Sequence, residues 1–168
     1  MNAGGAVTVM SSFAAIWWGV GLTAAGRGSF LLNAFGLATS AVLIVLGWRR
    51  AAQATAADVR KHRGRVVGIA SGAEGVMIVV AAKMLANTGR SELIAPVVAI
   101  IVGLHFLPLA RWLPGPIYYL TGALLVIVGF ASTAILEPTA RTLTVCIGAA
   151  AVLWLSCAVV LRQKAARA

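Results

Sequence analysis

Glu74 lies in the middle of Val66–Val80, a stretch otherwise built of apolar and small residues. A carboxylate at the centre of a membrane-crossing helix costs about 2.5–3.5 kcal/mol on insertion scales, so such a group is kept for a partner or a task. The chain holds only four acids, and the other three, Asp58, Glu92 and Glu137, fall in loops or at helix ends. Proton or ion chemistry among the apolar segments therefore runs through Glu74. His105 is the one histidine within an apolar run, in Gly103-Leu-His-Phe-Leu-Pro-Leu109. Pro108 cannot donate to the carbonyl of Leu104, which predicts a bend beside the histidine. Glu74 is eight residues from the start of its run at Val66, and His105 eight from the end of its own at Leu113. Both then sit about 12 Å below the same surface. Tyr118 and Tyr119 enter the next run from that side. The chemistry expected is acid–base: Glu74 as proton donor, His105 as partner or acceptor, and Tyr118 or Tyr119 as an auxiliary hydroxyl.

Trp17, Trp18, Phe106 and Trp154 are the aromatic candidates for a lining, with Ser71 one turn before the acid. Each has a plainer reading. The aromatics can be ordinary packing. Glu74 can be a protonated acid bonded to Ser71 or a backbone group, holding helices together, and His105 a hydrogen-bonded core residue. Gly68, Gly72 and Gly75 read as points of close helix approach that also keep space beside the acid. Asn33 reads as a bridge between helices. Trp48 and Trp112, at the ends of runs, read as interface anchors.

These residues must be positioned by helices in lipid. The 168 residues are 61% hydrophobic, with a mean hydropathy of +0.96, against about 45–50% apolar for a soluble domain. The apolar runs lack the alternation of a β-barrel. The fold class expected is all-α, a single polytopic domain over 1–168 with six transmembrane helices near 7–25, 29–48, 66–86, 93–113, 115–136 and 142–161. Gly26-Arg-Gly28, Pro114-Gly-Pro116 and Glu137-Pro-Thr139 break consecutive runs. Met1–Gly5 has no basic region, so the first run is not read as a signal peptide.

The net charge of +10 does not point to nucleic acid, because the basic residues crowd beside the spans. With the N-terminus inside, the inner face collects Arg49, Arg50, Arg60, Lys61, Arg63, Arg65, Arg111, Arg162, Lys164 and Arg167, and the outer face Arg27, Lys83, Arg90 and Arg141. Ten against four predicts an inner-membrane protein with both termini cytoplasmic. Cys146 and Cys157 are eleven residues apart on one helix, about 16 Å by helical rise and too far for a disulfide. They read as small core residues. No Cys/His cluster suggests a metal, and no cofactor is expected.

The halves resemble each other. Thr39–Trp48 matches Thr121–Phe130 in character, Val20-Gly-Leu22 matches Val102-Gly-Leu104, and Arg65–Leu85 aligns with Arg141–Leu161. Three spans per copy would invert the second copy, so repeats at 7–86 and 93–161 would be related by an axis in the membrane plane. Glu74 then aligns with Ala150, so the polar site is one-sided.

One acid, one histidine, a few hydroxyls and many aromatics suit a lipophilic molecule with one reactive position, not a sugar or an amino acid. Six apolar runs, the buried Glu74 and the stretch Gly103-Leu-His-Phe-Leu-Pro-Leu-Ala110 resemble small bacterial integral membrane proteins. The layout also resembles the small membrane-bound terpene cyclases of meroterpenoid and indole-terpenoid pathways. That resemblance implies a carboxylic acid that protonates an epoxide or alkene, and it carries over Glu74 alone, as proton donor. The expectation is a membrane-embedded cyclase or isomerase acting on an isoprenoid-like substrate. The alternative is a proton-coupled transporter or exporter with Glu74 and His105 as its coupling site.

Overall fold

A computed structural model describes the backbone of residues 3–52, 60–112 and 115–165, and the side-chain surroundings of 4–49, 72–111 and 115–163. Ser71, Gly68 and Trp112 lie outside the residues whose side chains are described. The described chain is all helical. Six helices follow in order: α1 Ala3–Ala24, α2 Phe30–Ala52, α3 Arg60–Asn87, α4 Ile94–Trp112, α5 Ile117–Ser132 and α6 Pro138–Ala165, with a single 3-10 turn, Ser91–Leu93, leading into α4.

Helix ends fall where the backbone chemistry puts them. Gly26 and Gly89 take positive φ, of 63° and 71°, and stop α1 and α3. Pro138 opens α6 at a position where its missing N–H costs nothing. Just before it, the Glu137 carboxylate accepts the backbone N–H groups of Thr139 and Ala140, capping the helix. Exposed Glu137 is thereby held below its ordinary pKa of 4.5, chiefly by the N–H of Ala140 and then that of Thr139. Arg141, one turn into α6, is buried and donates from Nε to the carbonyl of Ile135 at 2.8 Å. Its Nη2 donates to the carbonyl of Leu136 at 3.5 Å. The connection from α5 thus finds donors for two of its carbonyls.

Four helices among the described residues are long and apolar enough to cross a membrane: α1, α2, α4 with its leading turn, and α6. The fifth expected span is shorter than 115–136. Apolar α5 covers 16 residues, because Pro116 starts it late and the backbone tightens into turns after Ser132. Pro108 lies inside α4, which continues as one helix to Trp112.

α6 lies at the centre and packs against α1, α2, α4 and α5, whereas among the described residues α3 packs only on α4 and the turn before it. Small residues make the centre possible. Cys146, Ala149, Ala150 and Cys157 are fully buried on α6, and both cysteines are free. A Cβ on Gly21 would stand 2.7 Å from that of Cys146, so α1 needs a glycine there. Gly103 of α4 and Gly122 of α5 oppose one another: a Cβ on either would fall within 2.7 Å of the other's carbonyl oxygen. Polar bonds tie α6 to its neighbours. Thr121 and Ser156 hydroxyls meet at 2.7 Å, Ser11 Oγ lies 3.4 Å from Cys157 Sγ, and Trp154 Nε1 donates to Ser40 Oγ at 2.9 Å.

Other expectations change. Gly72 and Gly75 have nothing within 4 Å of where a Cβ would stand, so on α3 they face open space, not a neighbouring helix. Asn33 makes no hydrogen bond to another helix among the described residues; its Nδ2 donates to the Ser29 carbonyl one turn back. Trp48 is exposed but also donates to Thr8 Oγ1 on α1 at 3.0 Å.

Candidate functional site

Glu74 lies on α3 and His105 on α4, two helices that pack together. The chain reverses between Asn87 and Ile94, so α3 runs back along α4. Glu74 is thirteen residues before that turn and His105 eleven after it, which brings them to nearly the same height. Their side chains meet, with His105 Nε2 3.5 Å from Glu74 Oε2, and both are nearly buried. An ordinary N–H···O bond is 2.7–3.2 Å. The contact is longer than that, so each group keeps hydrogen-bonding capacity for a third partner.

That partner has a place to be. A cavity of about 260 Å³ lies against the pair, walled by α1, α3, α4, α5 and α6. Its wall is apolar apart from Glu74, His105 and Tyr118. Val102, His105, Phe106 and Leu109 of α4 face it, and so do Ala6, Val9, Met10 and Phe13 of α1. Both sets are spaced i, i+3, i+4, i+7, the signature of one helix face. Leu153 of α6 and Ile78 of α3 complete the apolar wall. Tyr118, buried at the start of α5, makes no hydrogen bond through its hydroxyl among the described residues. Tyr119, 100° further round the helix, is 47% exposed and outside the cavity.

The expected aromatic lining is mostly elsewhere. Phe106 is in the wall, but Trp17, Trp18 and Trp154 are not. Trp17 is buried in the helical core. Trp18, Phe35 and Trp154 form a separate aromatic group, with the Trp18 ring 5.7 Å from Phe35 and 5.4 Å from Trp154. Trp18 lies flat against Gly36 and donates to the Leu32 carbonyl, and Trp154 is held by Ser40. Their polar edges are spent on structure. The aromatic ring that sequence reasoning missed is Phe13, together with Val9 and Met10. The i, i+3, i+4, i+7 spacing on α1 was the available signal, obscured because every position of that helix is apolar or small.

Among the described residues no group of three or more His, Cys, Asp or Glu side chains is placed to hold a metal. No protein-family model matches the chain, nor does any curated protein or solved structure.

Proposed function

We propose that the protein is a membrane-embedded enzyme that performs acid–base chemistry on a lipophilic substrate held in the α1–α3–α4 cavity. The observation that carries this reading is the contact of Glu74 with His105 in the wall of an otherwise apolar cavity. Two ionisable groups on apolar helices are costly to keep, and their convergence on one empty volume gives them a common task.

The arrangement suits proton transfer at a single position of a substrate. Neutral Glu74 donates its proton to an alkene carbon or an epoxide oxygen. The cation so formed rearranges beside the faces of Phe13 and Phe106, which attract positive charge. The imidazole of His105 then takes a proton from a neighbouring carbon, and return of that proton across the 3.5 Å contact restores the acid. The product is an isomer of the substrate, so no oxidant or co-reactant is consumed. The Tyr118 hydroxyl supplies a further hydrogen bond for a polar end.

A second reading, a proton-coupled transporter, has one observation in its favour. α1 packs on α2 and α6, and α4 packs on α5 and α3, the pairing expected of two three-helix repeats exchanged about one axis. The pattern is incomplete, since α5 packs on α6 while α2 and α3 do not meet among the described residues.

The test is Glu74→Gln in purified protein reconstituted with lipid. Gln keeps size and hydrogen bonding but supplies no proton. Isomerisation of epoxidised and plain polyprenyl compounds should vanish while yield and melting temperature hold. Turnover by the Gln variant at the wild-type rate removes the acid role. Proton-driven uptake in vesicles without turnover replaces the enzyme with the transporter.

A further inference from the structure

The cavity has a weak side. α1 and α3 both wall it, yet among the described residues no Cα of one comes within 8 Å of a Cα of the other. The gap between them is edged by Val9 and Phe13 on α1, which are 47% and 42% exposed, and by Gly75 and Ile78 on α3. Behind this rim Glu74 is only 8% exposed. Among the described residues the rim has no charged side chain, so its described wall is apolar. Gly75 is the narrowest residue that could stand there, next to Glu74 in sequence, and a Cβ on it would meet nothing within 4 Å.

We infer that the gap between α1 and α3 is a lateral portal through which a bilayer-dissolved lipophile reaches Glu74, and that Gly75 is the residue that keeps it open. The inference rests on the membrane placement proposed above, but not on the chemistry proposed for Glu74. An apolar rim suits passage of an alkyl or isoprenoid chain out of the acyl region of lipid. It does not suit a hydrated polar solute, which would give up its water with nothing to replace it. The volume limits what is held. A dry apolar cavity of about 150 Å³ accommodates benzene, so 260 Å³ accommodates roughly ten non-hydrogen atoms by proportion. The ligand class is therefore a ten-carbon lipophile, or the ten-carbon end of a longer one. Its single polar group faces Glu74, His105 and Tyr118, and any remaining chain leaves between Val9 and Gly75.

Gly75→Trp tests the portal. It closes the gap without displacing any described neighbour, so the fold should survive. Gly72→Trp is the matched control: it lies three residues earlier on the same helix and equally faces open space, but it does not line the cavity. The probe is a diazirine-bearing ten-carbon isoprenoid alcohol, photolysed with protein in nanodiscs, with adducts mapped by peptide mass spectrometry. In wild type and Gly72→Trp, adducts should map to the α4 cavity face 102–109 and to Tyr118, and excess unlabelled geraniol should compete them away. In Gly75→Trp those adducts should fall at least tenfold at an unchanged melting temperature. Wild-type labelling of the cavity face that Gly75→Trp leaves intact would overturn the portal. So would labelling lost equally in Gly72→Trp, or absent from wild type. Glu74→Gln should still be labelled. If it is, and wild type turns nothing over, the portal stands and the proposed chemistry falls.

Discussion

At the scale of single residues, the Glu74–His105 contact divides the work unequally. The acid is the only carboxyl in the cavity wall among the described residues, whereas the imidazole acts on it from 3.5 Å away. His105→Ala should therefore lower the activity that Glu74→Gln abolishes by roughly ten- to a hundredfold, and His105→Gln, which can hydrogen-bond but cannot take a proton, should lose as much. Recovery in His105→Gln would show that the imidazole only positions Glu74 and does not accept the proton. Glu137 supports a different measurement, of stability against pH. Its carboxylate is held below 4.5 by two backbone N–H groups. A depressed pKa contributes stability that is complete above the unfolded value and is lost as pH falls through the folded one. The melting temperature of the wild type should drop below pH 4.5 more steeply than that of Glu137→Gln, and the two curves should run parallel at neutral pH. Parallel curves down to pH 3 would show that this cap contributes nothing to folding. Glu74 and His105 were legible in the sequence because ionisable groups in apolar runs stand out and equal depth can be counted. The tryptophans were not placed, since large aromatics are compatible with both a core and a cavity wall, and only their hydrogen-bond partners, Leu32 and Ser40, decide it.

At the scale of helices, glycine has two opposite roles that sequence alone does not separate. Gly122 lets α5 approach α4 until a Cβ would lie 2.6 Å from the Gly103 carbonyl. Gly72 has open space around it. Gly122→Ala must move two backbones apart and should cost about 1–3 kcal/mol, as overpacking does. Gly72→Ala gains helix propensity at no steric expense and should stabilise by about 0.5–1 kcal/mol. Denaturation of both variants in the same detergent gives the signs directly, and a destabilised Gly72→Ala would show that α3 meets a neighbour there. The six helices were readable from apolar runs and Gly/Pro breaks, to within a few residues at most ends. The end of α5 was not, because Thr133–Leu136 are compatible with helix until the Ile135 and Leu136 carbonyls are found bonded to Arg141 instead. The peripheral place of α3 was also hidden. Its run looks like the other spans, but α6 rather than α3 carries Cys146, Ala149, Ala150 and Cys157, small residues fully buried against its neighbours.

For the whole molecule, the membrane placement proposed above turns on how many helices cross the bilayer, and charge does not decide it. With six crossings the basic residues divide ten inside to four outside. If α3 and α5 did not cross, Lys83 and Arg90 would move inside and Arg111 outside, giving eleven to three. Both divisions satisfy the positive-inside bias. Packing does discriminate. α3 lies along α4 from the turn at Ser91–Leu93 as far as the Glu74–His105 contact, a shared length of about 20 Å. α5 lies along α4 from the Gly122–Gly103 approach to that of Gly129 on Pro96 and Ile100. A helix flanked this closely on two sides cannot enter the hydrocarbon alone, so if α4 crosses, α3 and α5 cross with it. The prediction is six crossings with both termini inside. The two native cysteines are fully buried, so single exposed cysteines can be read with a membrane-impermeant maleimide against them. In intact cells, Arg27→Cys and Arg90→Cys should label, while Arg49→Cys, Arg111→Cys and Arg162→Cys should label only after permeabilisation. Arg90 and Arg111 carry the decision. Labelling of Arg111→Cys from outside, with Arg90→Cys protected, would establish four crossings. It would also remove the cavity from the bilayer interior, and the lateral portal and the lipid-borne substrate would go with it.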